Sequence, residues 1–504
     1  MGLKKTHGVA TRTLRAILWS YGTYLGGLSI SLLVLAILAR LLTPEDFGLI
    51  ALALIGMAIL DTFPGLGVGE ALIVVPEEDL EEKAETAFAV SVLVGFVLAA
   101  ILAALGPIAA SFFQQPELVE VMPVLGASFI LLGFGITHGA IAQKRLDFRA
   151  RNLASLADAI SRGVVGVTLA LTGAGVWSLV FGYLAGSAAS TIALWLLVPW
   201  RPRLRPRRAH LRDLLGFGGT LTGVGVMAAF VTQFDFLVIG RVLGATSLAF
   251  YSMATRLPGY AILGLAAVVS RVLFPAFASL QQEDMPRACV RAFRYTALVV
   301  LPLAVFLGVL AEPLTLALFG DQWGASVGAL QVLCVWAGAS TFLYVAGSAF
   351  KARKRADIVF KLAVPQAVGL VVGSLALVRY GIVAVSWVQA SIAMCALIGS
   401  IAIARRLFGF TLREFAAAIG PSTIAATVLG FALWVVSRAV SSTWPTILVG
   451  GAVGLAVYGS LIVLLARQSL VEMKATAFPP RSAQQPIDEA LERSLEAAER
   501  AAPP

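Results

Sequence analysis

The chain has 504 residues, of which 59% are hydrophobic and only 13% are charged, with a net charge of +10. Soluble domains carry about 25% charged residues, so this composition excludes an ordinary soluble enzyme or binding domain. A membrane-spanning helix needs about 20 apolar residues, and long apolar runs recur nearly from end to end. The composition therefore predicts an all-α polytopic membrane protein.

Fourteen candidate transmembrane helices follow one another along the chain. Helices are expected because a bilayer cannot satisfy open backbone hydrogen-bonding groups. The predicted spans are residues 14–42, 47–75, 84–112, 118–142, 152–172, 176–199, 213–240, 247–278, 294–312, 325–350, 357–378, 382–404, 413–437 and 445–466. The first span is too long for the hydrophobic region of a signal peptide, so it is interpreted as a retained helix.

Basic residues alternate between the two sets of loops. Most of the 38 lysine and arginine residues fall on one side. The opposite loops hold Arg40, Arg241, Arg379 and Arg438. Because cytoplasmic loops are enriched in lysine and arginine, both termini are predicted to be cytoplasmic. Orientation and contact with anionic lipid head groups account for the positive charge, so nucleic acid is not a predicted partner.

An internal repeat is visible in the sequence. The segment ILARLLTPEDFGLIALA, residues 37–53, is echoed by VIGRVLGATSLAFYSMA, residues 238–254. Three more pairs follow in the same order: GPIAASFF with EPLTLALF, QKRLDF with RKRADI, and GAGVWSLV with YGIVAVSW. A shared order and a nearly constant interval of about 200 residues indicate duplication. In each lobe the first segment is predicted to be an outer hairpin, turned at Pro44 and anchored at the interface by Arg40.

The repeat predicts two six-helix lobes of the same orientation, related by a parallel pseudo-two-fold axis, plus two extra C-terminal helices. The predicted organisation is a cytoplasmic N-terminus (1–13), an N-terminal lobe (14–199), a basic linker (200–212), a C-terminal lobe (213–404), helices 13 and 14 (405–467) and a polar cytoplasmic tail (468–504). Two parallel bundles with a seam between them are typical of rocking transporters.

The second span contains an interrupted helix with two carboxylates. In LDTFPGLGVGEAL, Asp61 lies near the middle of the span and is followed by Pro64, several glycines and Glu70. Proline removes a helix hydrogen bond and glycine weakens a helix. The segment is either a gating or ion-coupling element, or a kinked packing helix whose carboxylates pair with neighbours.

Other ionisable residues within spans are costly and so mark candidate sites. Asp158 and Arg162 are four residues apart on one helix face. Either they form an internal ion pair, or Arg162 lines a cavity and Asp158 holds it in position. Asp235 and Arg256 lie in the outer halves of spans seven and eight, where the two side chains are predicted to pair across a hairpin and line the cavity.

For two further residues the sequence gives weaker support for a functional role. Arg271 is nearer the predicted cytoplasmic edge, and snorkelling to the interface competes with a role in binding. His138 is interpreted as a polar interface residue at a helix end, although histidine titrates near neutral pH.

Motifs for covalent chemistry are absent from the sequence. It contains no Walker A, HExxH or GxSxG motif and no zinc spacing, so no metal or cofactor is predicted. The three cysteines show no disulfide framework. The longest predicted outer loop, EPLTLALFGDQWG, is too short for a glycosyltransferase or polymerase site, which argues against an enzyme.

Several segments together resemble the bacterial polysaccharide exporter flippases of the multidrug/oligosaccharidyl-lipid/polysaccharide superfamily. They are ARLLTPEDFGLIALA, GLGVGEALI, GVWSLVFGYLAG, VPWRPRLRPRR, FLVIGRVLGATSLAFYS, SRVLFPAFASLQ and EPLTLALFGDQW, and the resemblance covers residues 10 to 420. It implies a fourteen-helix, two-lobed fold in the bacterial inner membrane. It also implies alternating-access transfer of undecaprenyl-pyrophosphate-linked oligosaccharide to the outer leaflet, coupled to an ion gradient. Relatives often carry an aspartate where this chain has Gly65, so a carboxylate role is not carried over there.

The hypothesis is a lipid-linked oligosaccharide flippase with polysaccharide assembly proteins as partners. Arg162, Arg256 and Arg271 are the candidate pyrophosphate ligands, since guanidinium groups bind such anions through paired donors. The candidates for proton or sodium coupling and gating are Asp61, Glu70, Asp235, Asp158 and Pro64. A multidrug exporter, a membrane glycosyltransferase or polymerase, and a non-transporting scaffold are the alternatives.

Overall fold

The structure is a computed structural model that describes residues 26–27, 29–63, 68–203, 230, 232–440 and 442–465. Within these residues all regular structure is helical. Ten of the described helices are long and apolar enough to cross a membrane. The prediction of an all-α polytopic membrane protein is confirmed, while the number of fourteen spans stays a prediction.

The helices follow the predicted apolar runs closely. They are α1 (Ser29–Leu41), α2 (Pro44–Leu60), α3 (Val68–Val74), α4 (Leu80–Phe113), α5 (Leu118–Lys144), α6 (Phe148–Leu171), α7 (Val176–Leu197), α8 (residues 232–242), α9 (Gly244–Pro258), α10 (Gly264–Ser279), α11 (Met285–Val309), α12 (Ala311–Phe319), α13 (Val327–Ala352), α14 (Ala356–Leu377), α15 (Ile382–Phe408), α16 (Leu412–Ala439) and α17 (Thr443–Leu465). Short 3₁₀ turns occupy Glu77–Asp79, Gln282–Asp284, Asp321–Ser326 and Val378–Tyr380, and a π-helical turn occupies Gly259–Leu263.

The predicted turn at Thr43–Asp46 is the start of helix α2. Pro44 takes the first helical position, where its missing N–H costs nothing. The Thr43 hydroxyl oxygen accepts from the backbone N–H of Asp46 at 3.2 Å, and the Asp46 carboxylate accepts from the backbone N–H of Thr43 at 3.0 Å. This reciprocal capping box satisfies two backbone donors that the helix itself leaves unpaired.

The segment EPLTLALFGDQWG is ordered and helical, so its interpretation as a loop is wrong. Helix α12 covers its first part, and the 3₁₀ turn Asp321–Ser326 covers the rest. Gly320 joins the two with φ of 99°, a conformation that L side chains rarely adopt. The ring of Trp323, fully buried, anchors the turn.

Interruptions fall inside two predicted spans. Helix α2 ends at Leu60 and α3 begins at Val68, so the predicted break of the second span is present. Pro64 lies outside the described residues. In the eighth span, the π-helical turn Gly259–Leu263 separates α9 from α10; single π turns of this kind concentrate at functional sites.

Left-handed backbone positions recur along the chain in support of the repeat. The pairs Gln114 and Gly320, Leu146 and Lys354, and Gly175 and Gly381 all have positive φ next to a helix end. Each pair is separated by nearly the same interval of about 200 residues, as a duplicated unit requires. The turn that follows α5 and the turn that follows α13 also share their backbone hydrogen bonds, because Asp147 donates to Ala142 and Arg355 donates to Phe350.

The chain forms two compact units. Unit 1 takes in the described residues of Met1–Tyr260 together with Leu314–Trp336 and Ala363–Ala393, and unit 2 takes in the rest. In unit 1, α4 packs on α5, α6 on α7 and α2 on α9; in unit 2, α16 packs on both α11 and α17. The two predicted six-helix lobes stay a prediction, and the N-terminus 1–13, most of the linker 200–212 and the tail 468–504 lie outside the described residues.

Candidate functional site: a polar cavity in unit 1

A cavity of about 290 Å³ lies in unit 1 and is lined by residues of α2, α7, α8 and α9. Its apolar wall comes from the last turns of α2 and from Phe236 of α8. Its polar lining consists of Asp61, Tyr183, Gln233, Ser252, Thr255 and Arg256. A concave apolar site with a few converging polar groups is the usual form of a ligand pocket. We call this site the polar cavity.

Asp61 reaches the polar cavity because α2 ends one residue earlier. It is the C-cap of that helix, and its backbone N–H donates to Met57 at 2.7 Å. The carboxylate is exposed at a helix C-terminus, where the helix dipole disfavours negative charge by about 0.3–1 kcal/mol. Because its charge does not stabilise α2, the Asp61 carboxylate is a candidate for binding a ligand or an ion.

Arg256 lines the polar cavity from the last turn of α9. The backbone N–H of Gly259 donates to Arg256 and Thr255, and the π-helical turn follows directly. Arg256 is partly buried and forms no ion pair with any described residue. Burying a charge costs several kcal/mol unless a partner compensates it. The side chain therefore suits an anionic ligand.

Asp158 and Arg162 are brought together as one of the two interpretations predicted. The Nη2 of Arg162 donates to both carboxylate oxygens of Asp158, at 3.0 and 3.2 Å. The guanidinium group also lies 4.3 Å from the centre of the Tyr183 ring, a cation–π contact worth about 0.5–1 kcal/mol at an exposed site. The pair thus supports the wall of the cavity from behind Tyr183.

Two glycines of α7, which sequence analysis did not single out, make this arrangement fit. A Cβ at Gly186 would collide with the Asp158 carboxylate, and one at Gly182 would lie 3.0 Å from the carbonyl oxygen of Arg162. The small-residue spacing of Gly182 and Gly186 was the available signal, since it permits close helix packing.

Asp235 has different partners from the one predicted. It is 2% exposed, and one carboxylate oxygen accepts from the Tyr251 hydroxyl at 2.6 Å and from Gln389 at 2.8 Å. The predicted pair with Arg256 is therefore wrong, because these two neutral donors occupy the carboxylate instead. The other oxygen has no hydrogen-bond partner among the described residues. Sequence analysis missed Tyr251 and Gln389 because nothing local marks them.

The two echoed segments of the sequence pack against each other at one end of the polar cavity. A Cβ at Gly48 of α2 would overlap the backbone of Ala245 of α9, so only glycine allows this approach. The cavity lies beyond this contact, towards the C-terminal ends of both helices. The contact therefore closes the N-terminal side of the cavity.

The segment after α12 reinforces that closed end. The Trp323 indole N–H donates to Ala39 at 2.8 Å, and the Gln322 side chain donates to Leu42 at 3.1 Å. Arg40 donates from Nε to Leu318 at 3.2 Å and also bonds Ala317. Arg40 thus caps the C-terminal end of α12, while its role as an interfacial anchor stays a prediction.

The remaining predicted residues either lie away from the polar cavity or have side chains that the structure does not describe. The side chains of Glu70 in α3 and Arg271 in α10 are outside the described residues. His138 is fully buried, with its ring 4.6 Å from Trp195 and 5.2 Å from Trp200. Its interpretation as a polar interface residue is wrong, because these aromatic rings cover it.

Sequence comparison connects these features to known proteins. The profile of a family described as "Polysaccharide biosynthesis protein" matches residues 37–328. The chain is 26% identical over 359 residues to the lipopolysaccharide biosynthesis protein WzxC of Escherichia coli (strain K12), covering 69% of this chain and 72% of that protein. It is also 26% identical over 492 residues to the succinoglycan biosynthesis transport protein ExoT of Rhizobium meliloti (strain 1021), covering 93% and 97%.

Two solved structures share the fold. A lipid II flippase MurJ in an inward closed conformation matches with a TM-score of 0.74 at 14% identity, covering 90% of this chain and 100% of that chain. An inward-facing multidrug resistance MATE transporter of the MOP superfamily matches with a TM-score of 0.61 at 19% identity, covering 76% and 94%. At such identities the likeness establishes the fold alone.

Proposed function

This chain belongs to the polysaccharide biosynthesis protein family, and from that premise we propose that it is a flippase for lipid-linked oligosaccharides. It moves an undecaprenyl-pyrophosphate-linked oligosaccharide from the inner to the outer leaflet of the bacterial inner membrane. The head group crosses through the polar cavity while the prenyl chain stays in lipid. Both termini face the cytoplasm, as the distribution of basic residues predicts.

The observation that carries this proposal is an arginine in the polar cavity that forms no ion pair with a described residue. Arg256 lies among Gln233, Ser252 and Thr255, whose side chains can hydrogen-bond sugar hydroxyls or phosphate oxygens. The planar guanidinium group binds phosphate oxygens through two parallel N–H donors. In a partly buried site this interaction is screened less than in water. The cavity therefore suits the anionic and hydroxyl-rich part of such a lipid.

Arg162 is proposed as a second ligand that becomes available when its pair with Asp158 opens. The side chains of this pair are 37% and 29% exposed, so the ions are not locked in the protein interior. A diphosphate group near Tyr183 would compete with Asp158 for the guanidinium donors. Arg271 stays a predicted third ligand.

Coupling to a proton or sodium ion is proposed for the carboxylates. Asp235 is buried, and one of its carboxylate oxygens has no partner among the described residues, so it can accept a cation or a proton. Asp61 is open to the polar cavity, where its charge responds to the ligand. Glu70 and Asp158 are the further candidates, and the interruption around Pro64 is proposed to be the gating hinge.

A multidrug exporter is the alternative with the same fold. Such a transporter would be expected to carry cationic compounds in an acidic and aromatic cavity. The polar cavity has one carboxylate, Asp61, and one arginine, Arg256, so it lacks the excess of acidic groups expected of a site for cationic drugs. A glycosyltransferase or polymerase is less consistent with the structure, because the segment that would be its outer loop packs as α12 and a 3₁₀ turn. Transport without covalent chemistry is therefore proposed, with polysaccharide assembly proteins as partners.

The test uses the full chain reconstituted in sealed vesicles. A fluorescent undecaprenyl-diphosphate oligosaccharide is added, and its movement between leaflets is followed by quenching of the outer leaflet. Arg256→Gln should reduce the transfer rate about 10- to 100-fold. Arg241→Gln is the matched control, since Arg241 is exposed and lies 5.4 Å from the Phe112 ring outside the polar cavity.

Two outcomes would contradict the proposal. One is wild-type transfer of the lipid at the background rate of empty vesicles. The other is efficient uptake of a cationic drug by the same vesicles without lipid transfer, which would establish the exporter instead.

A further inference from the structure

A second polar recess lies in unit 2, where α11 and α16 begin. Its volume is about 510 Å³, and α11 lines it with Arg287, Arg291 and Arg294. Because helix residues three and four apart share a face, the three guanidinium groups form one basic stripe. We call this recess the arginine groove.

Packed aromatic rings form the floor of the arginine groove. The ring of Phe410, which lines the groove, stacks on that of Phe415 at 6.2 Å, and Phe415 meets Phe293 edge-on at 5.2 Å. All three rings are buried. A packed aromatic floor holds the first turns of α11 and α16 in place, so the groove is formed before any ligand binds.

The two acidic residues that line the groove, Asp284 and Glu414, form no ion pair with Arg287 or Arg291. Glu414 accepts from the backbone N–H and the hydroxyl group of Thr411, at 2.7 and 3.0 Å, in the capping box of α16. Within the described part of the chain, no ion pair joins Arg287 or Arg291 to a carboxylate. Both of these arginines are exposed. Arg287 and Arg291 therefore present two guanidinium groups without an ion pair at this recess, whose lining carries three arginines and two carboxylates.

The position of the groove points to the ligand. It lies at the starts of two candidate membrane spans, Gln282–Val309 and Leu412–Ala439. Leu412, beside the groove in sequence, is 57% exposed, as expected of a residue at the lipid boundary. Lipid phosphate groups occupy the level at which spans enter the hydrocarbon. Basic residues at this level attract anionic lipids.

We propose that the arginine groove binds the phosphate group of an anionic membrane phospholipid. None of its lining residues belongs to the polar cavity, so the site does not depend on the transported substrate. Arg287 and Arg291 donate to the phosphate oxygens, and the acyl chains lie along the apolar surfaces of α11 and α16. The same phosphate chemistry occurs in soluble diphosphates, and the experiment separates the two sources.

The test measures binding of fluorescent phosphatidylglycerol to the purified full chain in uncharged detergent. Each arginine near a lipid surface contributes about fivefold in affinity, so Arg287→Gln with Arg291→Gln should weaken binding roughly 25-fold. Arg405→Gln with Arg406→Gln is the matched control. Those two arginines are exposed at the end of α15, a short turn before α16, and do not line the groove. This control should change affinity less than about twofold.

A charge-preserving variant guards against misfolding. Arg287→Lys with Arg291→Lys should keep most of the affinity, because lysine retains the positive charge. The thermal midpoint of each variant, measured in phosphatidylcholine nanodiscs, shows whether the fold is intact. If the glutamine variant lowers this midpoint, the affinity of the lysine variant is compared with that of the control instead. Loss of affinity in a folded lysine variant that equals the loss in the control would then count against the groove.

Three results would overturn the proposal. The first is unchanged phosphatidylglycerol affinity in the folded glutamine variant. The second is equal weakening by the control, which would show that only overall charge matters. The third is full displacement of the lipid by inorganic diphosphate at constant ionic strength, which would assign the groove to a soluble anion. None of these measurements involves transport, so failure here would leave the flippase proposal unaffected.

Discussion

The polar cavity and the arginine groove both present arginine side chains, but the free energy of keeping the charge in place differs between them. Arg256 is partly buried among polar side chains, whereas Arg287 and Arg291 are exposed at the starts of spans. A buried charge is expensive unless a ligand compensates it, while an exposed charge costs little and is screened by salt. The comparison teaches that burial, rather than charge, separates the site proposed for transport from the site proposed for a surface lipid.

The largest effect should come from neutralising one arginine in each region. Arg256→Gln should reduce lipid transfer about 10- to 100-fold, because a charged hydrogen bond contributes about 1.5–3 kcal/mol. Arg287→Gln should reduce it less than about threefold, since its effect is limited to surface attraction. Initial transfer rates in the same vesicle assay measure both. Equal losses would break the distinction between the two regions.

The next effect should come from the close contact at the end of the polar cavity. Gly48→Ala should destabilise the protein by about 1–3 kcal/mol, because the new methyl group meets the Ala245 backbone and forces α2 from α9. Gly347→Ala is the control in unit 2, where no atom lies within 4 Å of the added Cβ. It should be neutral or stabilise by up to about 1 kcal/mol, as alanine favours helix. Denaturant unfolding in detergent measures both, and equal stabilities would contradict the tight contact.

A smaller difference in unfolding free energy is expected when two side-chain donors to backbone carbonyls are removed, one in each unit. Trp323→Phe removes a buried hydrogen bond to Ala39 and should cost about 1–3 kcal/mol of unfolding free energy. Tyr458→Phe removes the bond to Leu298, formed at 2.7 Å in a less buried setting, and should cost about 0.5–1.5 kcal/mol. Thermal unfolding of both variants sharpens the comparison. A larger loss for Tyr458→Phe would show that the segment around Trp323 is not an anchor.

The smallest effect should come from two ion pairs with the same i,i+4 spacing. Asp158→Asn should lower the free energy of unfolding by about 0.5–1 kcal/mol, because Arg162 then loses the partner that holds it over Tyr183. Asp79→Asn, which breaks the exposed pair with Lys83 at 3.1 Å, should cost less than about 0.5 kcal/mol. A double-mutant cycle with Arg162→Gln and Lys83→Gln measures each coupling. Equal coupling energies would contradict the idea that the contact with Tyr183 strengthens the pair of Asp158 and Arg162.

Sequence reasoning succeeded for features that depend on neighbouring residues. Apolar runs located the helices, and the proline and glycine residues after Asp61 predicted the end of α2. The i,i+4 spacing predicted the pair of Asp158 with Arg162, because helix geometry alone brings such residues together. The failures concern the segment EPLTLALFGDQWG and His138, where distant residues supply the packing. Hydropathy cannot reveal a tryptophan that is buried by another helix.

The sequence by itself determined the membrane class, the positions of the helices, the internal repeat and the supply of charged groups within spans. These properties follow from local composition and periodicity, which act over one or two helical turns. Only the tertiary structure decided which charges meet: Asp235 bonds Gln389 rather than Arg256, and Arg40 caps α12. Such partners are far apart along the chain, and packing rather than spacing determines their distance. For the same reason, only the folded chain distinguishes the arginine of the polar cavity from those of the arginine groove.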